Sequence, residues 1–453
     1  MTDAIQPVVV GAGPAGIRAA QALVSHGLRP VIVDEGAAAG GQIYRQQPSN
    51  FRRAAAALYG FDAARAEAVH AAMGALEGKV DHRPRTLVWN AEPGTLDLLC
   101  DDRTARLAYT HLIVSSGATD RILPLPGWTK PGVFSLGGAQ VALKFQGCAI
   151  GSAVVFAGTG PLLYLVAYQY AKAGAQVAAI LDIASAGDKA RAVPAMLSQP
   201  AVLARGMYYM AALRMRGVPM REGVRPLRVI GDKRVTGIVW QDGARERELA
   251  CDAIGLGHGL RPETQLADLL GCAFRFDPLS RAHVPERDAA GRTSIAGVYV
   301  AGDGAGIMGA DAAEWAGERA ALALLEDAGI AIDRSRALHL ESALARNLTL
   351  RRGLERAFSF PVDWAANAPD DVVICRCEEV VAGELRAAIR ESGADEINRL
   401  KALTRVGMGR CQGRMCGAAA GEILAHACGR SVEDIGRLRA QAPLKPIPSG
   451  VQA

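Results

Sequence analysis

Three features of the sequence predict an α/β fold with two Rossmann-like domains and a small, mostly helical C-terminal domain. The first two are strand–glycine turn–helix–strand patterns at residues 7–35 and 153–182. The third is a group of four cysteines after residue 370, interleaved with amphipathic segments that are each short enough for one helix. Strands that alternate with helices across short turns are typical of a parallel sheet with helices on both faces.

The composition limits the classes of protein. A length of 453 residues exceeds one ordinary domain and predicts two to four. Half of the residues are hydrophobic and 21% are charged, which excludes disordered and fibrous chains. The formal net charge is only +5 and the basic residues are not clustered, so no nucleic-acid partner is expected. The nine cysteines are an odd number and no secretory leader is recognised, so the predicted compartment is the reducing cytoplasm.

An uncharged stretch at residues 147–171 is long enough to cross a bilayer. Glycines and a proline interrupt it at Gly151, Gly158, Gly160 and Pro161. It also divides into a strand-like half and a helix-like half. The sequence therefore predicts a buried strand–turn–helix unit and no transmembrane segment.

The N-terminal unit predicts a dinucleotide site. The apolar strand PVVV runs into the turn GAGPAG and a helix, and the next strand ends in Asp34 and Glu35. Gly11 allows the tight turn, Gly13 lets the backbone approach a pyrophosphate, and Gly16 lets the helix pack closely on the strand. The helix N-terminus favours phosphate, and an acid at this distance can accept ribose hydroxyls. A turn that serves packing alone is the alternative. The predicted binding residues of the turn are Gly11, Gly13, Pro14, Ala15 and Gly16.

The second unit repeats this pattern in weaker form. Gly158 and Gly160 keep their places, but Leu163 replaces the third glycine. By spacing, Leu181 falls where the ribose acid should be, with Asp182 one residue later. A bulky side chain at the close-packing position disfavours NAD(P)H. We expect a degenerate site that takes a nucleotide such as ATP or NAD, with Gly158 and Gly160 as candidate contacts.

The cysteines near the C-terminal end form two pairs, Cys375-x-Cys377 and Cys411-x4-Cys416, separated by 33 residues. Four thiolates from two turns suit a [2Fe–2S] cluster or structural zinc. The CxC spacing is tight for zinc, and the second pair lies in a glycine-rich loop whose N–H groups can donate to cluster sulfurs. The cluster is therefore favoured over zinc and over unligated thiols. Small core residues are the expectation for the others, which are Cys100, Cys148, Cys251, Cys272 and Cys428.

Three motifs resemble the FAD-binding half of the pyridine-nucleotide-disulfide oxidoreductase superfamily. They are GAGPAG with its acid and GGQIYR, then HLIVSSGA at 111–118, and GVYVAGDG at 297–304. The resemblance implies two glutathione-reductase-like domains, with Asp303 on the ribityl chain of FAD and Gly302 at a close approach. It also implies FAD contacts at Gly41, Gln42, Arg45, Ser116 and Gly117. No cysteine pair stands at the place where disulfide reductases carry one, so disulfide reduction is excluded.

The cysteine region resembles the bacterioferritin-associated ferredoxin-like [2Fe–2S] domain, which also has helices between its two pairs. In that family the second pair is commonly CxxC, whereas this sequence has CxxxxC. These resemblances imply a division of the chain into a split FAD-binding domain (1–117 and 275–332), an inserted, degenerate NAD(P)-like domain (118–274), a helical linker (333–369), the cluster domain (370–432) and an extended tail (433–453).

Over its full length the chain resembles the α subunits of bacterial heteromeric flavin amine dehydrogenases. This group includes octopine, nopaline and D-hydroxyproline dehydrogenases and the related hydrogen cyanide synthase B subunit, and the most specific matches are GGQIYR, GDGAG and TRVGMGRCQGRMC. The resemblance implies an electron-transfer role for this chain. An opine, imino acid or D-amino acid is then oxidised at the flavin of a separate β subunit, a further cluster is held by a small ferredoxin-like γ subunit, and FMN can lie between the polypeptides.

The sequence offers no acid or base for substrate chemistry, so catalytic residues are unassigned, as the resemblance implies for this polypeptide. Three alternatives stay open. The first is a hydrogen cyanide synthase B-type subunit for glycine oxidation, and the second is a stand-alone NAD(P)H-dependent reductase that feeds a ferredoxin. The third is a non-enzymatic iron-handling module. Peripheral association with a membrane quinone pool is also left open.

Overall fold

The computed structural model describes residues 5–48, 50–51 and 53–450. The extreme ends of the predicted N-terminal domain and of the tail, residues 1–4 and 451–453, lie outside the described residues. The predicted α/β class with a small, mostly helical C-terminal domain is confirmed.

The strands, numbered in chain order, are β1 Pro7–Val10, β2 Val31–Val33, β3 Asp81–Arg83, β4 Thr86–Glu92, β5 Thr95–Cys100, β6 Arg103–Ala108, β7 His111–Val114, β8 Ala118–Asp120, β9 Val133–Ser135, β10 Ala153–Thr159, β11 Gln176–Asp182, β12 Met220–Glu222, β13 Arg225–Ile230, β14 Gly237–Asp242, β15 Arg245–Ala250, β16 Ala253–His258, β17 Leu260–Pro262, β18 Phe274–Asp277, β19 Ala282–Pro285, β20 Val298–Val300, β21 Val373–Cys375 and β22 Val380–Val381.

The α-helices are α1 Pro14–Ser25, α2 Ala55–Tyr59, α3 Ala63–Gly74, α4 Leu136–Val141, α5 Pro161–Lys172, α6 Ala186–Met196, α7 Pro200–Met215, α8 Gln265–Leu269, α9 Ala310–Asp327, α10 Arg334–Ala357, α11 Trp364–Asn367, α12 Ala382–Ser392, α13 Ile397–Thr404 and α14 Gly417–Cys428. Short 3-10 turns occupy Gly60–Asp62 and Gly302–Ala305, and a π-helical turn follows α4 at Ala142–Gln146.

The two Rossmann-like units share one arrangement of strands, except that the edge strand beside β7 comes last in the first unit and the edge strand beside β16 comes first in the second. The first sheet has the order β20-β7-β1-β2-β3 and the second has the order β9-β16-β10-β11-β12, with parallel pairing throughout. In each unit a three-stranded antiparallel sheet, β4–β5–β6 or β13–β14–β15, precedes the strand that returns to the parallel sheet. The second unit is inserted between β7 and β20. The central strands are apolar because helices cover one face of each sheet and the three-stranded sheet packs on the other.

The uncharged stretch at residues 147–171 forms β10 and most of α5, as the sequence predicts. Val154, Val155 and Phe156 of the strand and Leu163 of the helix are fully buried in the second unit. Within the described part of the chain, no helix is long and apolar enough to cross a membrane.

The cysteine-bearing C-terminal domain is docked on the second unit. One hydrophobic core contains Val155 and Ile254 of the second sheet together with Ile374, Leu385 and Ile423 of this domain. Polar contacts support the same interface: the Trp128 indole donates to Val373 O at 2.6 Å, and the Trp364 indole donates to Pro124 O at 3.0 Å. The long helix α10 precedes this domain and packs against α6 and α9, so it joins the two Rossmann-like units.

The segment after α14 returns across the first unit. Arg437 pairs with Asp268 at 2.5 Å, and Leu444 N donates to Trp89 O at 2.8 Å. Lys445 forms an ion pair with Glu35, directly after β2. The predicted extended tail therefore lies on its own chain.

The interface between α1 and α9 depends on a helical glycine. A Cβ built on Gly317 would lie 1.9 Å from Ala15 O, so an alanine there must separate the two helices. We expect Gly317→Ala to lower the free energy of unfolding by about 1–3 kcal/mol, measured by chemical denaturation. A Cβ added to Gly206 in α7 would meet no atom within 4 Å. Gly206→Ala should therefore raise stability by up to about 1 kcal/mol, and equal effects of the two substitutions would contradict the packing argument.

Candidate cofactor sites

A cavity of about 2220 Å³ runs between the first unit, the second unit and the C-terminal domain. Ordinary ligand pockets measure roughly 300–1,000 Å³, so this cavity is larger than one such site. Most of the predicted FAD contacts line it: Gly11, Gly13, Pro14, Ala15, Asp34, Glu35, Gly41, Gln42, Arg45, Ser116, Gly117, Gly302 and Asp303. Gly16, Gly158 and Gly160 are not part of the wall.

The turn between β1 and α1 is a cradle that only glycine permits. Gly11 has φ +103°, and a Cβ there would lie 2.4 Å from Ser115 O. A Cβ on Gly16 would lie 1.8 Å from Gly11 O, which explains why this residue is behind the wall rather than in it. Gly13 caps α1 without a side-chain hydrogen bond to the helix. The first N–H groups of α1 therefore have no side-chain cap and suit a pyrophosphate.

The acid at the end of β2 is held by backbone groups. Asp34 Oδ2 accepts from Ala12 N and Oδ1 accepts from Gly36 N, both at 2.5 Å. Burial raises the pKa of this carboxyl, and the two hydrogen bonds oppose that rise. Glu35 is more than half exposed and pairs with Lys445. Asp34 is thus the better placed acid for a ribose, while Glu35 contacts the tail.

The end of β20 contributes a second part of the wall. Gly302 has φ +69°, and a Cβ there would lie 3.0 Å from Ala15 Cβ. Asp303 Oδ1 accepts from Met308 N at 2.8 Å and from Gly309 N at 3.0 Å, which orders the loop before α9. The FAD resemblance implies a glycine at a close approach and a carboxylate beside it, and Gly302 and Asp303 stand at this wall.

Lys144 is a wall residue that the sequence analysis missed. Its ammonium group is buried, donates to Ile43 O at 3.1 Å and has no carboxylate ion-pair partner among the described residues. Burial lowers the pKa of Lys144 to about 8, and the neighbouring charge of Arg45 acts in the same direction. The Arg45 Nε is buried and has no hydrogen-bond partner among described atoms. A single lysine within the apolar segment LGGAQVALKFQG is the signal that could have indicated this residue.

The second unit corrects one expectation. Gly158 is paired with Asp182, and Ala157 with Leu181, so Asp182 rather than Leu181 stands at the place that Asp34 occupies in the first unit. The extra residue is Ala178, a β-bulge in β11 opposite Val154 and Val155. Counting along the sequence missed this because a bulge changes the spacing without changing the position at the strand end.

Other side chains of the protein already pair with the Asp182 carboxylate. It is fully buried, accepts from the Tyr164 hydroxyl at 2.8 Å and pairs with Lys189 at 2.6 Å. Lys189 also pairs with Glu222 at 2.9 Å. Leu163 is fully buried, so α5 leaves room for a side chain where α1 permits none. The second site thus differs from the first at its acid and at its third glycine.

The four predicted cluster ligands are brought together. The Cys416 side chain lies within reach of hydrogen bonds to Cys375 and Cys411, and the Cys377 side chain lies within such reach of Cys411. Accepting these hydrogen bonds lowers the pKa of Cys375 to about 6 and that of Cys411 to about 5. A Cβ on Gly409 would lie 2.3 Å from Cys377 Cβ, so the loop needs glycine there.

No set of three or more His, Cys, Asp or Glu side chains in the described ranges is arranged to hold a metal ion. The thiols instead contact each other in pairs along a chain. Two thiol pairs on facing loops fit a binuclear cluster, which is bound from two sides. Cys411 also lines the large cavity, together with Arg376, Arg414 and Met415.

Known proteins share these features. Residues 5–317 match the pyridine nucleotide-disulphide oxidoreductase family, and residues 373–426 match the BFD-like [2Fe-2S] binding domain. The chain is 36% identical to the opine oxidase A subunit of Agrobacterium tumefaciens, over 99% of this chain and 91% of that protein. It is 33% identical to the hydrogen cyanide synthase subunit HcnB of Pseudomonas protegens, over 98% and 96%.

Among solved structures, L-proline dehydrogenase from P. horikoshii shares the fold with a TM-score of 0.76, at 20% identity, over 99% of this chain and 79% of that chain. The fold, the full-length similarity and the cysteine-bearing domain agree with one another. The chain belongs to the pyridine nucleotide-disulphide oxidoreductase family, carries a BFD-like [2Fe–2S] domain, and is a homologue of the opine oxidase A and HcnB subunits.

Proposed function

We propose that the chain is the electron-transfer subunit of a heteromeric dehydrogenase that oxidises an opine, an imino acid or a D-amino acid at a partner flavin subunit. Membership of a flavin oxidoreductase family with a [2Fe–2S] domain supports the redox role. One observation carries the proposal: Cys411 of the cluster loop lines the same cavity as the glycine turn at Gly11 and Gly13. The two proposed cofactors would therefore face one cavity of the same chain.

The first unit would hold FAD. The N-terminus of α1 would bind the pyrophosphate, Asp34 the ribose and Asp303 the ribityl chain. A bound FAD would accept two electrons as hydride and return them one at a time. Lys144 and Arg45 would provide positive charge beside the cofactor, and the buried wall around them would limit access of water.

The C-terminal domain would hold the cluster through Cys375, Cys377, Cys411 and Cys416. A bound [2Fe–2S] cluster would carry single electrons. The glycine-rich loop would hold Cys411 at the cavity wall, and the acceptor would be something other than a disulfide. The division of the chain into the five predicted segments is part of this proposal.

The substrate chemistry is assigned to a partner. Relatives that are named as subunits of opine oxidase and hydrogen cyanide synthase support a heteromeric complex. We propose two partners, a flavin-containing β subunit with a small ferredoxin-like γ subunit, with FMN at an interface and a cytoplasmic location that allows peripheral contact with a membrane. The second candidate is a hydrogen cyanide synthase B-type subunit, which the 33% identity to HcnB favours.

Replacing the cluster ligands tests the metal site. Each of the substitutions Cys375→Ser, Cys377→Ser, Cys411→Ser and Cys416→Ser should remove most of the bound iron and acid-labile sulfide, because each thiolate would be a ligand. Elemental analysis and electron paramagnetic resonance after reduction provide the measurement. Cys428→Ser is the matched control, since its thiol donates to Ala394 O at 3.5 Å, away from the cysteine loop, and it should leave iron unchanged. A zinc-containing, diamagnetic protein would contradict the assignment.

We expect that the second unit does not bind NADH or NADPH in a way that reduces the flavin. Asp182 is bound by Tyr164 and Lys189, so it has no free carboxylate for a ribose. Adding a several-fold excess of NADH or NADPH to the flavin-loaded protein should leave its visible absorbance unchanged over minutes. Rapid stoichiometric bleaching would instead support a stand-alone reductase.

Co-expression with the partner subunits tests the substrate class. The purified complex should reduce a dye with an opine, an imino acid or a D-amino acid, whereas the isolated chain should not, because it has no identified acid or base for substrate. Glycine is the comparison substrate. Activity with glycine alone would favour the cyanide synthase alternative, and full NADH-dependent activity of the isolated chain would overturn both.

A further inference from the structure

One short segment, residues 261–265, holds the cluster loop and runs from β17 to the first residue of α8. Its alternate residues all contact the loop between Cys411 and Cys416. Arg261 donates to Gly413 O at 3.2 Å and to Arg414 O at 3.4 Å. The Gln265 side chain donates to Gln412 O at 2.7 Å.

Glu263 lies between these two residues and contacts the cluster loop on one side and the turn after β7 on the other. Its carboxylate pairs with the Arg414 guanidinium at 2.7 Å. Its backbone N donates to Gly117 O at 3.0 Å, and its carbonyl accepts from the Ser116 hydroxyl at 2.5 Å. The cluster loop is thus fastened, through one residue, to the turn that lines the proposed flavin site.

The charges near the loop do not cancel. Glu263 neutralises Arg414, whereas the hydrogen bonds of Arg261 described above go only to carbonyl oxygens. A second cation, Lys401 of α13, is buried and is hydrogen-bonded to Arg439 O and Gln441 Oε1 at 3.5 and 3.4 Å. Neither Arg261 nor Lys401 has a carboxylate ion-pair partner among the described residues.

Both cations lie on the Cys416 side of the loop. A Cβ built on Gly417, the residue after Cys416, would lie 3.3 Å from Arg261 Nη1, and Lys401 is buried on α13, which packs against α14 directly after Cys416. Burial lowers the pKa of each group. The charge of Glu263 opposes this shift most strongly for Arg261, and the charge of Asp268 does so for Lys401. Positive charge in a region of low dielectric acts strongly on a nearby change of charge. Reduction adds one negative charge to a [2Fe–2S] cluster, and cluster potentials respond to nearby charge and hydrogen bonds.

We propose that Arg261 and Lys401 raise the reduction potential of the cluster from its Cys416 side without ligating it, while residues 261–265 hold the loop at the cavity wall. The inference rests on the proposed function, since it requires the cluster. It assigns to two residues outside the cysteine motifs the role of making the cluster an acceptor for electrons from the cavity.

The test is a redox titration of the full chain, followed by electron paramagnetic resonance of the reduced cluster. Arg261→Gln and Lys401→Gln should each lower the equilibrium constant for reduction about tenfold, which is about 59 mV more negative for one electron. Arg261→Lys keeps the charge and should restore most of the potential. The double substitution should shift the potential further than either single change.

Arg281→Gln is the matched control. Arg281 also joins the body of the protein to the cluster domain, through Glu422 at 2.9 Å, but its partner lies on α14 six residues beyond Cys416. The potential of this variant should stay at the wild-type value. Equal shifts in the Arg281 and Arg261 variants would overturn the inference, because they would indicate a general loosening of the domain.

The outcomes separate the two proposals. A wild-type protein without a [2Fe–2S] spectrum would overturn the proposed function together with this inference. A normal spectrum and iron content with unshifted potentials in the Arg261→Gln and Lys401→Gln proteins would overturn this inference alone. If Arg261→Gln does not assemble a cluster, two other variants still test the inference. Lys401→Gln must lower the potential, and Arg261→Lys must keep most of it.

Discussion

Close backbone contact around the start of α1 is the constraint on which the rest of the structure depends. The helix can sit this near to β1 only because Gly16 faces Gly11 O, and α9 can sit this near to α1 only because Gly317 faces Ala15 O. These contacts bring the loop of Asp303 to the same wall as the glycine turn. Helix α10 then follows α9 and reaches the second unit. The absence of side chains at Gly16 and Gly317 therefore sets the position of the first site relative to α9 and α10.

The two units show how one arrangement of parallel strands supports different sites. Their sheets have the same strand order, and Asp34 and Asp182 stand at equivalent strand ends. In the first unit the acid is held by backbone N–H groups, while in the second unit a tyrosine and a lysine satisfy it. A buried carboxylate that is fully paired is stable but has little remaining capacity for a ligand. The difference lies in side chains on α5 and α6, not in the fold.

The sequence was sufficient to predict what local motifs encode. The glycine turns, the strand-end acids and the two cysteine pairs have short-range spacing, and the α/β class and the helical C-terminal domain followed from them. Asp182 was misplaced because a bulge in β11 adds one residue to the spacing, and the sequence does not mark that residue as a bulge. Lys144 and residues 261–265 were missed because their importance arises from contacts between distant parts of the chain. Such contacts depend on how the domains pack against each other, and the spacing of residues along the sequence does not indicate this packing.

The path of the tail has a consequence for the order in which the protein matures. Leu444 and Lys445 lie in the tail and form part of the wall of the large cavity. The glycine turn after β1 lines the same cavity. Arg414 also donates to Leu444 O at 2.8 Å, so this part of the wall and the cysteine loop are ordered together. Translation proceeds from the N-terminus, and the first unit emerges from the ribosome long before residue 445. The wall of this cavity is therefore complete only after synthesis has passed residue 445.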